Sequence, residues 1–301
     1  MRGLIDAPRM RQRRILTPLL ARTLALGREQ WIDVAYLAVT LAWLGVGVYW
    51  SCLLAAHLGR DLRWGWAFVA LPAVLVSLER QTVDIGLAAL TAGFCLHALQ
   101  GRRGVYAIAM LAPLARETGW VFPAALAAAA LSERPGRERM RQAILAAATV
   151  APGACWFLLT MRTGRSEWSQ MTSPIPFAAL AERTLRLGPG FGESLKSSLA
   201  AGLEHLALAG LWLAIALAAG EAIRRRRGVV AWAAALFAAG LAFVGYPGVW
   251  SEAYAFGRVA SPLLLLVAVQ RPDALGLAPT LLMLPRIAAQ LATHAVAPTS
   301  L

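Results

Sequence analysis

The chain has 301 residues, of which 58% are hydrophobic and only 15% charged, and its mean hydropathy is +0.58. Charged residues make up about a quarter of an ordinary soluble domain, so this composition excludes that class. The formal net charge of +13 does not point to nucleic acid, because the arginines lie in short loops between apolar runs, where topology requires them. No soluble basic face or recognisable nucleic-acid module accompanies them.

The first thirty residues carry seven arginines: Arg2, Arg9, Arg11, Arg13, Arg14, Arg22 and Arg28. Ile15, Leu16, Leu19, Leu20 and Leu24 recur at helical spacing, the pattern of an amphipathic segment lying on a membrane surface. Pro18 predicts two short helices with a step between them. Seven apolar runs then follow, uncharged except for Glu204: Val34 to Leu58, Trp64 to Leu78, Ile85 to Leu99, Ala143 to Leu159, Leu203 to Gly220, Gly228 to Tyr246 and Val259 to Gln270. Most approach the ~20 residues that cross a bilayer as a helix. A weaker run, Leu275 to Ala292, is interrupted by Arg286. No alternating pattern of β-barrel type is present. The fold class is therefore all-α: a polytopic transmembrane bundle of about eight to ten helical segments. Residues 1–30 form the surface segment, 31–296 the transmembrane domain with an external loop at 162–197, and 297–301 a tail.

The most basic short loops, Gly101 to Gly104, Ser132 to Arg141 and Arg224 to Arg227, are placed in the cytoplasm by the positive-inside rule. The apolar stretch between Arg103 and Arg134 must then turn back on itself. Its arms, Val105 to Ala115 and Trp120 to Leu131, are ~17–18 Å long as helices, and "RETG" lies between them. A re-entrant-like hairpin with a deep tip follows, tolerated only where protein or a water-filled cavity surrounds the irregular backbone. The same parity places the N-terminal arginines outside. That conflicts with their charge, unless one run is miscounted or a further helix precedes Met1.

On this layout several polar clusters share the external face: the N-terminal arginines, Arg80 with Asp84, the tip Arg116-Glu117-Thr118, the loop 162–197 and "PGVWSEAYAFGR" (Pro247 to Arg258). Arginines supply bidentate contacts to phosphate, acids accept protons from hydroxyls, and Trp and Tyr hold the interface. Intramembrane ionisable residues are costly and mark function; the alternative is that Arg116 and Glu117 pair with each other to cap the turn. Arg80 and Asp84, one helical turn apart, read equally as a surface ion pair. Glu204 and His205 are expected to be solvated, and Trp64 and Trp66 to anchor an interface. Cys52, Cys95 and Cys155 fall in apolar runs without metal spacing and read as small buried hydrophobes. No metal site or cofactor is indicated.

Four segments in this order, "DAPRMRQRRILTPLLARTLALG" (Asp6 to Gly27), "SLERQTVDIGLAAL" (Ser77 to Leu90), "LAPLARETGWVFPAALAAAAL" (Leu111 to Leu131) and "EAYAFGRVASPLLLL" (Glu252 to Leu266), resemble bacterial integral-membrane proteins of the GT-C glycosyltransferase and cell-surface glycopolymer-formation type. The resemblance implies inverting transfer of a sugar from a polyprenyl phosphate to a glycan or lipid acceptor, on the external face of the inner membrane. Its partners would be membrane lipids and the lipid-linked donor, with no nucleic acid. It implies that Arg13, Arg14, Arg80, Arg116, Thr118 and Arg258 hold phosphate or substrate, and that the candidate acids are Asp6, Asp84 and Glu117. The first helix and acidic loop of that family have no counterpart here, since only Asp6 lies upstream of the Arg9 to Arg14 cluster. Two other classes stay open: a non-catalytic assembly subunit, and a transporter of lipid-linked substrate, although no inverted repeat with paired broken helices is visible.

Overall fold

The computed structural model describes residues 12–133, 136–161, 171–186, 191–225 and 228–296. Among these it is an all-α bundle, with a single isolated β-bridge between Thr172 and Val244. Helix α1 is Leu16–Leu24, α2 Ile32–His57, α3 Pro72–Arg80, α4 Asp84–Leu99, α5 Gly104–Ala115 and α6 Val121–Glu133. They are followed by α7 Gly136–Met161, α8 Ala178–Leu185, α9 Leu195–Arg225, α10 Val229–Ala242, α11 Ala253–Gln270 and α12 Ala274–Val296. Among the described residues, by length and composition, five helices can cross a membrane, or six if the bent pair Leu62–Ala70 and Pro72–Arg80 is one span. The chain is a multi-pass α-helical membrane protein.

Two helices form the centre. In α4 every residue from Asp84 to Leu96 is buried, and α11 is buried along nearly its whole length. Both are rich in Ala and Gly, which let backbones approach closely where lipid supplies no hydrophobic drive between helices. By contrast α2 and α7 bury only about a quarter of their most apolar stretches, so side chains such as Val34, Leu37 and Leu41 on α2 and Leu158 and Leu159 on α7 face outward, as on lipid-facing helices. Cys95 is buried, Cys52 half-buried and Cys155 exposed on α7, so the reading as a buried small hydrophobe fails for Cys155.

The stretch Val105 to Leu131 is a hairpin. Tyr106 near the start of α5, Ala129 near the end of α6 and Gln142 near the start of α7 line one cavity, and the Tyr106 hydroxyl donates to the Gln142 side chain. At the other end, Trp120 at the tip packs edge-on against Phe157, ring centroids 5.3 Å apart. The two arms thus start and finish at the same end, and a straight helix is ruled out. Gly119 makes the tip possible, since a Cβ there would lie 2.2 Å from the Ala112 carbonyl.

Two expectations are corrected. The run Trp64 to Leu78 is not one helix: it is a 3-10 segment, Leu62–Ala70, followed by α3, with a 57° bend. Leu71 precedes Pro72 and is extended, at φ −65° and ψ 133°, as the proline ring demands of the residue before it. The break is satisfied internally, because Ala73 N–H donates to Ser261 Oγ at 2.8 Å. Pro18 makes no step either. It falls in the first turn of α1, where its missing N–H is harmless, and the irregular backbone lies at Arg14 and Ile15 instead.

Candidate functional site: a buried arginine–carboxylate network at the hairpin tip

The site is assembled from four elements. Arg14 comes from the segment before α1 and Asp84 is the first residue of α4. Arg116 and Glu117 form the hairpin tip, and Arg258 lies in the second turn of α11. Arg14 grips Glu117 with two parallel bonds, Nε to Oε2 at 2.8 Å and Nη2 to Oε1 at 2.5 Å. Arg116 Nη1 donates to Asp84 Oδ1, and its Nε lies 3.7 Å from Glu117 Oε1. Arg258 Nη1 stands 3.8 Å from the other oxygen of Asp84. Three guanidinium groups thus share two carboxylates, leaving one net positive charge.

Burial makes this arrangement consequential. The Asp84 side chain is 2% exposed and that of Arg116 6%, whereas Arg258 is 33% exposed and so forms the rim. Glu117 is gripped by Arg14 through both carboxylate oxygens, and Arg116 stands beside it. A carboxylate held ionised between two arginines is a weak proton acceptor. The network serves charge binding better than general base catalysis.

Its hydrogen-bonding capacity is not exhausted. Asp84 Oδ2, Arg116 Nε, Arg258 Nε, Thr118 Oγ1, Thr17 Oγ1 and Trp43 Nε1 are all buried, with no hydrogen-bond partner among the described residues. Thr17 Oγ1 and Trp43 Nε1 lie against Gly86, two residues from Asp84. Such atoms are a few per cent of buried polar groups in folded proteins; these six lie at or beside the network, while others, among them Ser51 Oγ, Glu204 Oε1 and Gln290 Oε1, lie elsewhere in the bundle.

The other anticipated residues divide around it. Arg13 is 7% exposed, with its guanidinium 4.7 Å from the Phe157 ring centroid, and Trp156 Nε1 donates to the Gln12 carbonyl at 2.9 Å. These contacts staple the N-terminal segment to α7. Arg80 does not pair with Asp84. It stands 3.6 Å from Glu79 and 3.9 Å from Glu252, over the Tyr254 ring at 4.9 Å, because α3 ends at Arg80 and the chain turns before Asp84. Asp6 lies outside the described residues.

Sequence reasoning missed a second charged cluster. Glu204 is 3% exposed, accepts from Arg286 Nε at 2.6 Å and stands 3.8 Å from Arg183. The expectation that it is solvated fails because α9 packs along α12 and carries Glu204 onto the one arginine inside that apolar run. Arg183 also donates to the Trp250 carbonyl at 3.0 Å, fastening α8 to the turn before α11. The signal was available: a lone acid and a lone base in separate apolar helices each require a partner.

Among the described residues no group of three or more His, Cys, Asp or Glu side chains is placed to hold a metal ion. No protein-family model, curated protein or solved structure matches the chain.

Proposed function

We propose that the tip end binds the phosphate of a lipid-linked substrate, and that the chain is a membrane protein of envelope glycan assembly with the character of a polyprenyl-phosphate-dependent glycosyltransferase. The observation that carries this reading is the tip network itself, with its surplus positive charge and unfilled hydrogen-bond positions. Arginine forks match phosphate oxygens in number and geometry. Ionisable groups held at this depth are expensive unless they serve a ligand or pathway. Arg258 is the residue best suited to meet the ligand, since it is the most exposed of the three arginines and has the longest contact with its carboxylate. Arg14 and Arg116 position Glu117 and Asp84, and through them the shape of the tip. In a transfer reaction the phosphate is the leaving group, and neutralising it would be the contribution of this network.

A second reading is favoured by one specific observation. Both carboxylates of the network are already engaged by arginines, so neither is free to take a proton from an acceptor hydroxyl. That supports a subunit that presents a lipid-linked substrate without transferring the sugar itself. Binding separates these readings from a purely structural network. In nanodiscs the protein is expected to bind a polyprenyl phosphate and to discriminate against the corresponding alcohol. Arg258→Gln should weaken binding about tenfold or more, the loss of one charge-assisted contact, at an unchanged unfolding midpoint. Equal binding of phosphate and alcohol, or undiminished binding by Arg258→Gln, overturns the proposal.

A further inference from the structure

A cavity of about 400 Å³ opens at the opposite end of the bundle, within the ~300–1,000 Å³ typical of small-molecule sites. Its polar wall is His97, Arg102, Arg103, Tyr106, Arg141 and Gln142. Gly101 builds this wall: at φ +64° it ends α4 in the left-handed conformation, and Arg102 N–H returns to the His97 carbonyl at 2.9 Å. That tight cap places two consecutive exposed arginines at the mouth.

The charge balance differs from that at the tip. There every arginine has a carboxylate within 4 Å. Here neither Arg102 nor Arg103 has an acidic partner among the described residues, and Arg141 shares Glu138, at 3.6 Å, with Gln142, which donates to that acid at 2.6 Å. In addition, His97 Nδ1 is buried without a hydrogen-bond partner. The remaining wall is apolar and includes Leu126 and Leu145. Leu145 is 37% exposed on α7 and its neighbour Ile144 60%, and the apolar stretch of α7 is the least buried of the candidate spans among the described residues. The cavity therefore joins a basic pocket to the lipid-facing side of the bundle.

We propose that this cavity is a binding site for the phosphate headgroup of an anionic phospholipid. Arg102, Arg103 and Arg141 face the phosphate, and the glycerol and upper acyl chain lie along Leu126 and Leu145. Basic pockets between transmembrane helices, at the level where loops meet headgroups, select anionic lipids in this way. The site is separate from the hairpin tip and does not depend on the function proposed for it.

The test uses the full chain, purified and delipidated in neutral detergent. Its unfolding midpoint is followed during titration with phosphatidylglycerol, with phosphatidylcholine, and with inorganic phosphate. Phosphatidylglycerol should raise the midpoint saturably and phosphatidylcholine should not. In Arg102→Gln/Arg141→Gln, changed only at exposed positions, the phosphatidylglycerol concentration at half-effect should rise about tenfold or more. Ala129→Phe, which fills the cavity without altering charge, should act the same way. Equal effects of the two lipids, or a wild-type response from the double variant, overturns the site. A saturable shift from inorganic phosphate as large as that from the lipid overturns the lipid assignment in favour of a soluble phosphate.

Discussion

Asp84→Asn removes the carboxylate that Arg116 needs. The Asp84 side chain is 2% exposed and that of Arg116 6%, and the nearest alternative acid for Arg116 is Glu117 at 3.7 Å, itself gripped by Arg14. The variant therefore leaves a buried guanidinium without its principal partner, a loss of about 3–5 kcal/mol for interior pairs. The Arg271–Asp273 pair, with side chains 26% and 47% exposed, provides the contrast: solvent screening limits it to about 0–1 kcal/mol. Replacing both tip partners, as Asp84→Asn/Arg116→Met, removes charge and counter-charge together and should recover most of the lost stability. Reversible unfolding in detergent micelles, run as a double-mutant cycle, measures the coupling directly. If Asp84→Asn loses less than about 1 kcal/mol, or the double variant falls by the sum of the two singles, the network is not the buried pair described above.

Glu117→Gln leaves Arg14 without the carboxylate it grips with two hydrogen bonds and should destabilise the protein. Glu117→Gln/Arg14→Met should recover most of the loss; losses that simply add contradict the pairing. At the hairpin, Gly119→Ala forces a Cβ to within 2.2 Å of the Ala112 carbonyl and should lose about 1–3 kcal/mol in the same unfolding assay. Gly45→Ala in α2, where a Cβ meets nothing within 4 Å, should gain up to about 1 kcal/mol from helix propensity. Equal stabilities for these two variants would mean that the tip is free to open.

The class of the protein, most of its helices and the reversal at "RETG" were legible in the sequence, because each follows from local quantities; the break at Leu71–Pro72 within Trp64 to Leu78 was not. Run length against bilayer thickness identifies the spans, and arginine placement identifies loop parity. Together they require Arg103 and Arg134 at one end and Arg116 at the other. That parity also brought the N-terminal arginines, Asp84, the tip and Arg258 to one face, where Arg14, Asp84, Arg116, Glu117 and Arg258 now stand in contact.

Only the tertiary structure decided who pairs with whom. Arg80 and Asp84, one turn apart in sequence, take different partners because the chain turns between α3 and α4. Arg116 finds Asp84 32 residues away, Arg14 finds Glu117 at a separation of 103, and Arg286 finds Glu204 at 82. A hydrophobic period states which side of a helix is apolar but not which neighbour that side will meet. A long charged side chain inside a membrane bundle is settled by the neighbour, since burial is tolerable only where an opposite charge waits at bonding distance.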